Sequence, residues 1–118
     1  MVTGSVQLFG QNASNFFNAL KNNDTDLLET YLEYNIDFCL FEDQQILSKK
    51  VAMSKLKIFL DNHKIISVDV IHKGTSKDKT SQYKVAKITT SKDTFRVFVF
   101  ASGEIGLKSV KEIRIDKF

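Results

Sequence analysis

The strands legible in the C-terminal half of this chain are apolar on both faces, and that property limits the fold more than any other. A period of two runs through Ile65 to Lys73, Gln82 to Thr90, Thr94 to Ala101 and Ile105 to about Asp116. Taking Lys92 and Asp93 as a two-residue hairpin turn pairs Thr90 with Phe95, Ile88 with Val97 and Ala86 with Val99. Taking Ser102 and Gly103 as the next turn sets Phe100 against Ile105 and Phe98 against Leu107. Tyr83, Val85, Phe98, Phe100, Ile105 and Leu107 then share one face, and Ala86, Ile88, Val97 and Val99 the other. Such a sheet needs cover on both faces: the rest of the chain supplies one, and the other falls to a second copy or, alternatively, to a bulge in the last strand or the C-terminal segment of the same chain.

The first cover is supplied by helices. Val6, Phe9, Ala13, Phe16, Phe17 and Leu20 recur at helical spacing between Ser5 and Lys21. Asn23 or Asp24 can cap a short second helix carrying Leu27, Leu28, Tyr31 and Leu32. From Asn35 the period changes to two: Ile36, Phe38 and Leu40 point one way, Asp37, Cys39 and Phe41 the other, and Gln44 to Leu47 returns as a short partner strand. Ser48 is placed to cap a third helix over Lys49 to Asn62, with Ala52, Leu56, Phe59 and Leu60 on its apolar side.

At 118 residues the chain has room for one domain, read as 1–118, able to bury about 65% of its unfolded surface. Its 42% hydrophobic and 26% charged residues exclude a disordered or coiled-coil chain. No stretch approaches the roughly 20 apolar residues of a membrane span, and the N-terminus shows no export signal. As written the chain reads as cytoplasmic; the mature form of a periplasmic or exported protein would read the same. Net charge is +3, spread along the chain, and Tyr83 alone stands among Lys73, Lys77, Lys79, Lys84 and Lys87, too few aromatic residues for a stacking platform. Those lysines read as solvated strand edges, and no nucleic-acid partner is expected.

The order helix, helix, strand, strand, helix and four strands resembles the cone-shaped nuclear transport factor two-like superfamily. The stretches Ala19 to Asp24, Ile71 to Asp78, Phe95 to Phe98 and Glu112 to Ile115 are similar to a bacterial family of small domains of unknown function within it. The resemblance covers roughly residues 13 to 117. It implies an α+β cone: three N-terminal helices packed on a curved, mainly antiparallel sheet of about six strands. Lys92-Asp93 stands where that family often has an Asn-Gly turn. The family brings no established chemistry, so the resemblance supplies a fold and not a reaction.

Enzymes of the superfamily use Asp, His or Tyr in the mouth of the cone, and the residues here that could do so are few. His72 continues the Val68-Val70 alternation, which points it toward the helices at the end of its strand. Glu112 and Arg114 fall on the same concave side. With Phe17, Tyr31, Phe38 and Phe59 they are the expected lining of a pocket for a small apolar or amphipathic ligand. A steroid-isomerase-like site would need a Tyr beside two buried carboxylates, and Tyr31 and Tyr34 have no such pair nearby. Metal binding would have to draw on Cys39, His63 and His72, which share no ligand spacing. Gly74 to Ser81 mixes Gly, Lys, Thr and Ser but lacks the second Gly of a phosphate loop. No metal and no cofactor are expected.

The expectation is therefore a non-enzymatic ligand-binding or protein-interaction domain. Its homodimer interface would hold Tyr83, Val85, Phe98, Phe100, Ile105 and Leu107, with Lys87 and Arg96 at the rim. The alternative is a small isomerase, dehydratase or hydrolase with His72 as its base.

Overall fold

The computed structural model describes residues 12–103 and 109–118. The predicted residues Ser5, Val6, Phe9, Ile105 and Leu107 lie outside the described residues. The first helix, α1, runs Asn12–Lys21, and α2 runs Thr25–Tyr31. They are joined by a tight turn in which Asn23 takes a left-handed φ of 54°. The backbone N–H of Asn23 donates to Leu20 O (3.1 Å) and that of Asp24 to Ala19 O (2.9 Å). This pair of bonds satisfies carbonyls that the end of α1 would otherwise leave open. Asp24 then caps α2, its Oδ1 accepting from Leu27 N at 3.2 Å.

Strand β1 (Leu32–Leu40) turns back into β2 (Asp43–Ser48), and Ser48 caps α3 (Lys49–Asn62) with Oγ accepting from Val51 N at 3.4 Å. The remaining strands are β3 (Ile65–Thr75), β4 (Ser81–Thr90), β5 (Thr94–Ser102) and β6 (Ser109–Lys117). They form one curved, open six-stranded sheet in the order β2-β1-β6-β5-β4-β3. Every pairing is antiparallel except β1 with β6, which is parallel. The three helices pack on one side of this mixed α+β sheet, and the core lies between. Phe16, Phe17 and Leu20 of α1, Leu28 of α2 and Ala52, Met53, Leu56, Phe59 and Leu60 of α3 are buried against Ile36, Phe38, Ala86, Ile88, Phe95, Val97, Val99, Ile113 and Ile115 of the strands.

Both predicted hairpin registers require correction. Strand β4 pairs with β5 through Ile88↔Phe95 and Ala86↔Val97, and Thr89 with Thr94 is its last pair. The turn is longer than two residues because Thr90 organises it: Thr90 N and Oγ1 both donate to Asp93 O (2.9 and 2.7 Å), and Oγ1 accepts from the N–H of Lys92 and Asp93. The displacement is an even number of residues, so each side chain keeps the face predicted for it.

Strand β6 is displaced much further. Phe100 stands opposite Glu112 and Phe98 opposite Arg114, rather than opposite Ile105 and Leu107. Burial sets this register, because it brings Val110, Ile113 and Ile115 under the helices, with a bulge between Glu112 and Val110.

Candidate functional site

The two faces of the sheet differ in chemistry. On the side opposite the helices, the paired rows run Asp69, Lys87, Arg96 and Asp116; then His72, Val85, Phe98, Arg114, Cys39 and Gln44; then Gly74, Tyr83, Phe100, Glu112, Asp37 and Ile46. Tyr83, Val85, Phe98 and Phe100 therefore share this outer face, as the sequence alternation requires. Tyr83 is 38% exposed and the other three are partly exposed. The Tyr83 ring stacks on Phe98 with centroids 5.9 Å apart. At one end Lys87 Nζ and Arg96 Cζ lie 5.0 and 5.2 Å from the centre of the Phe118 ring, whose backbone N–H is fixed to Thr94 O at 3.0 Å. At the other side Arg114 pairs with Glu112 at 3.3 Å, and that carboxylate holds the guanidinium above its ordinary range.

The seven residues expected to line one pocket do not meet. Phe17, Phe38 and Phe59 are buried core side chains, and Tyr31 packs on the edge of that core. Glu112 and Arg114 stand opposite Phe100 and Phe98, so they face away from the helices. His72 is also on the outer side. The ladder shifts between Val70 and His72, so that His72 pairs with Val85 and Gly74 with Tyr83. Simple alternation from Val68 and Val70 cannot register that extra residue. Strands β4 and β5 separate His72 from the Glu112–Arg114 pair.

On the helix side stand Gln82, which the sequence reading does not single out, and Lys84, which it expects on a solvated strand edge. Gln82 is 7% exposed, and its Oε1 has no hydrogen-bond partner among the described residues. Lys84 lies opposite Val99 instead of on a solvated edge, and burial, then the nearby Lys73 charge, pushes its amine below the ordinary range.

His63 was considered only as a metal ligand, and the structure gives it a different setting. It ends α3, where its Nδ1 is 2.9 Å from Phe59 O. Its ring stacks on Phe59 with centroids 4.4 Å apart and meets the edge of Phe95 at 5.0 Å. It lines a cleft of about 340 Å³ with Lys21, Asn22, Asn23, Asp61 and Lys64 over an apolar floor of Leu20, Leu60 and Ile65. Asp61 accepts from Asn23 Nδ2 at 3.0 Å and pairs with Lys57 at 3.3 Å; these contacts, Asn23 first, hold its carboxyl below the usual range. Nothing in Asn62-His63-Lys64 marks this cleft in the sequence, since it forms only when the ends of α1 and α3 meet.

Among the described residues no group of three or more His, Cys, Asp or Glu could hold a metal ion, and no described helix is long and apolar enough to cross a membrane.

Solved structures place this architecture. A family protein from Bacteroides uniformis ATCC 8492, carrying the same family designation given below, is 28% identical, with 86% of this chain and 92% of that one covered at a TM-score of 0.77. Its counterpart from Bacteroides ovatus ATCC 8483 is 22% identical, with coverages of 86% and 90% and a TM-score of 0.78. An NTF2-like protein of unknown function from Cytophaga hutchinsonii ATCC 33406 is 12% identical, with coverages of 91% and 87% and a TM-score of 0.64. The fold is thus NTF2-like, the nuclear transport factor two-like cone. A comparison with curated proteins gives no match. Residues 13–116 match the family described as "Domain of unknown function (DUF4783)", and the chain belongs to that family.

Proposed function

We propose that this chain is a non-enzymatic protein-interaction domain whose working surface is the outer face of the sheet, and that its partner there is a second copy of itself. The observation that carries this reading is the grouping of Tyr83, Val85, Phe98 and Phe100 on the side that the helices leave uncovered. Each such side chain gains ~1.5–3 kcal/mol when it passes from full exposure to full burial. These four are already partly covered, so the gain per residue is smaller, and several must be buried together. A two-fold axis satisfies every copy at once.

The rows give that pairing a sense. An axis lying in the interface and running across the strands sets the cations Lys87 and Arg96 of one copy over the aromatic row of Tyr83 and Phe100 of the other. Phe118 lies at the rim of the patch, under the same two cations. The competing reading, acid-base chemistry at His72, has little support. His72 is exposed, and it lies on β3 while Glu112 and Arg114 lie on β6.

Sedimentation of the native protein tests the proposal. A dimer in the micromolar range is expected, converted to a monomer by Phe98→Asp with an unchanged circular dichroism spectrum. A native protein that stays monomeric at high micromolar concentration overturns it.

A further inference from the structure

We propose that, when two copies pair through the outer face, the Phe118 ring of each enters a cleft beside the β3–β4 hairpin of the other. This contact rests on the outer-face pairing proposed above and adds to it the residue that each copy lends its partner. The cleft holds about 270 Å³ among Gly74, Ser76, Ser81, Tyr83 and Phe100. A ring of benzene's size is held in a cavity of about 150 Å³.

The strand registers set the contact. Val85 pairs with Phe98; Lys87 and Arg96 pair two residues to one side of them, Tyr83 and Phe100 two residues to the other. A two-fold axis along the Val85–Phe98 row, across the strands, therefore exchanges the two flanking rows and leaves each strand over its own counterpart. Phe118 sits beside the Lys87–Arg96 row, on the side away from that axis. Its N–H donates to Thr94 O at 3.0 Å, two residues before Arg96, and its ring is 5.0 Å from Lys87 Nζ and 5.2 Å from Arg96 Cζ. The two-fold operation carries this place to the far side of the Tyr83–Phe100 row of the other copy. There Ser81, two residues beyond Tyr83, closes the cleft with Ser76.

The chemistry on both sides agrees with this placement. Phe118 is 53% exposed, so its ring has surface to bury. Its backbone bond and the two cations hold it in place beforehand, which lowers the cost of ordering it on association. In the cleft, Ser76 Oγ donates to Asp78 Oδ1 at 2.7 Å and accepts from Ser81 N at 3.1 Å, and Ser76 N donates to Ser81 O at 2.9 Å. An apolar occupant leaves these bonds intact, and Tyr83 and Phe100 offer it ring contacts.

The charges are also accommodated. Arg96 of one copy arrives over Phe100 of the other, whose neighbour on β6 is the acid Glu112. Asp116 comes over that same Glu112, and the Arg114 guanidiniums, in the row along the axis, stand between the acids of the two copies.

The test uses the full chain, mixing isotope-labelled with unlabelled copies and recording only NOEs between them. Lys87, beside Phe118, and Tyr83, opposite Gly74, are four residues apart on β4, about 13 Å, so a contact of the Phe118 ring with Gly74 Hα arises only between copies. That NOE is expected. In sedimentation, Phe118→Ala should raise the dimer dissociation constant about tenfold with an unchanged circular dichroism spectrum, and Phe118→Leu should recover most of the loss. A dimer that lacks the NOE, or whose dissociation constant ignores Phe118→Ala, overturns this contact and leaves the outer-face pairing standing. A native chain that stays monomeric at high micromolar concentration overturns both.

Discussion

Gly74 stands directly opposite Tyr83 in the β3–β4 ladder, and the Tyr83 ring lies where a Cβ on residue 74 would be. The ring is able to lie flat toward its neighbour strand because that position carries no side chain. Gly74→Ala should push the ring away and cost about 0.5–1.5 kcal/mol in denaturant unfolding, the worth of an aromatic contact. In a Tyr83→Ala background the same change should cost nothing. Equal costs in both backgrounds would show that the two residues are not coupled.

Phe95 is the ring on which Phe41, Phe59 and His63 converge, at centroid distances of 6.0, 5.0 and 5.0 Å. Phe95→Ala should destabilise the fold by about 3–5 kcal/mol, since Phe59 and His63 are fixed on α3 and Phe41 follows β1, so the rings cannot collapse together. Denaturant unfolding with an unchanged m-value is the measurement. A cost below about 1.5 kcal/mol would mean that this end of the core relaxes freely.

Asp78 Oδ1 accepts from Ser76 Oγ (2.7 Å), Thr80 Oγ1 (2.7 Å) and Thr80 N (3.1 Å). Those donors, Ser76 first, bring its carboxyl from an ordinary 3.8 down to about 2. A depressed folded value means that the order this carboxylate gives the turn is fully present above pH 3.8 and is lost as pH falls through about 2. The Asp78 carboxyl signal should titrate in that low range by NMR. It should move back toward 3.8 in a Ser76→Ala, Thr80→Ala protein.

Cys39 is 4% exposed, and its Sγ lies 3.1 Å from Phe41 O. A thiol reagent should label it slowly in the native protein, with a rate that climbs with denaturant as the strand opens. Rapid native labelling that is insensitive to denaturant would contradict the burial.

Much of the architecture could be read from the residues. The switch from helical spacing to alternation marks β1 close to Asn35, and Asp24 and Ser48 cap the helices expected of them. The faces of β4 and β5 were legible because alternation survives an even displacement, and for the same reason their register was not. His72 was misplaced by the added residue beside Val70, and Glu112 and Arg114 by the bulge between Val110 and Glu112, which turns the rest of β6 over. The cleft at His63 has no signature in sequence. Its walls come from residues 20–23 and 60–65, which the fold alone brings together.

The parallel pairing of β1 with β6 makes assembly order a property of this chain. Asp37 meets Glu112 and Leu40 meets Ile115, so the N-terminal hairpin joins the sheet only through its most distant strand. A growing chain emerging from the ribosome can form the helices and the β3–β4–β5 meander early. Strands β1 and β2 stay unattached until β6 has been synthesised. Loop closure over that separation is costly, so docking of β6 is the step expected to limit the folding rate. Until it docks, the edges of β1 and β5 are open to strands of other chains, which makes this interval the one in which chaperones and aggregation compete.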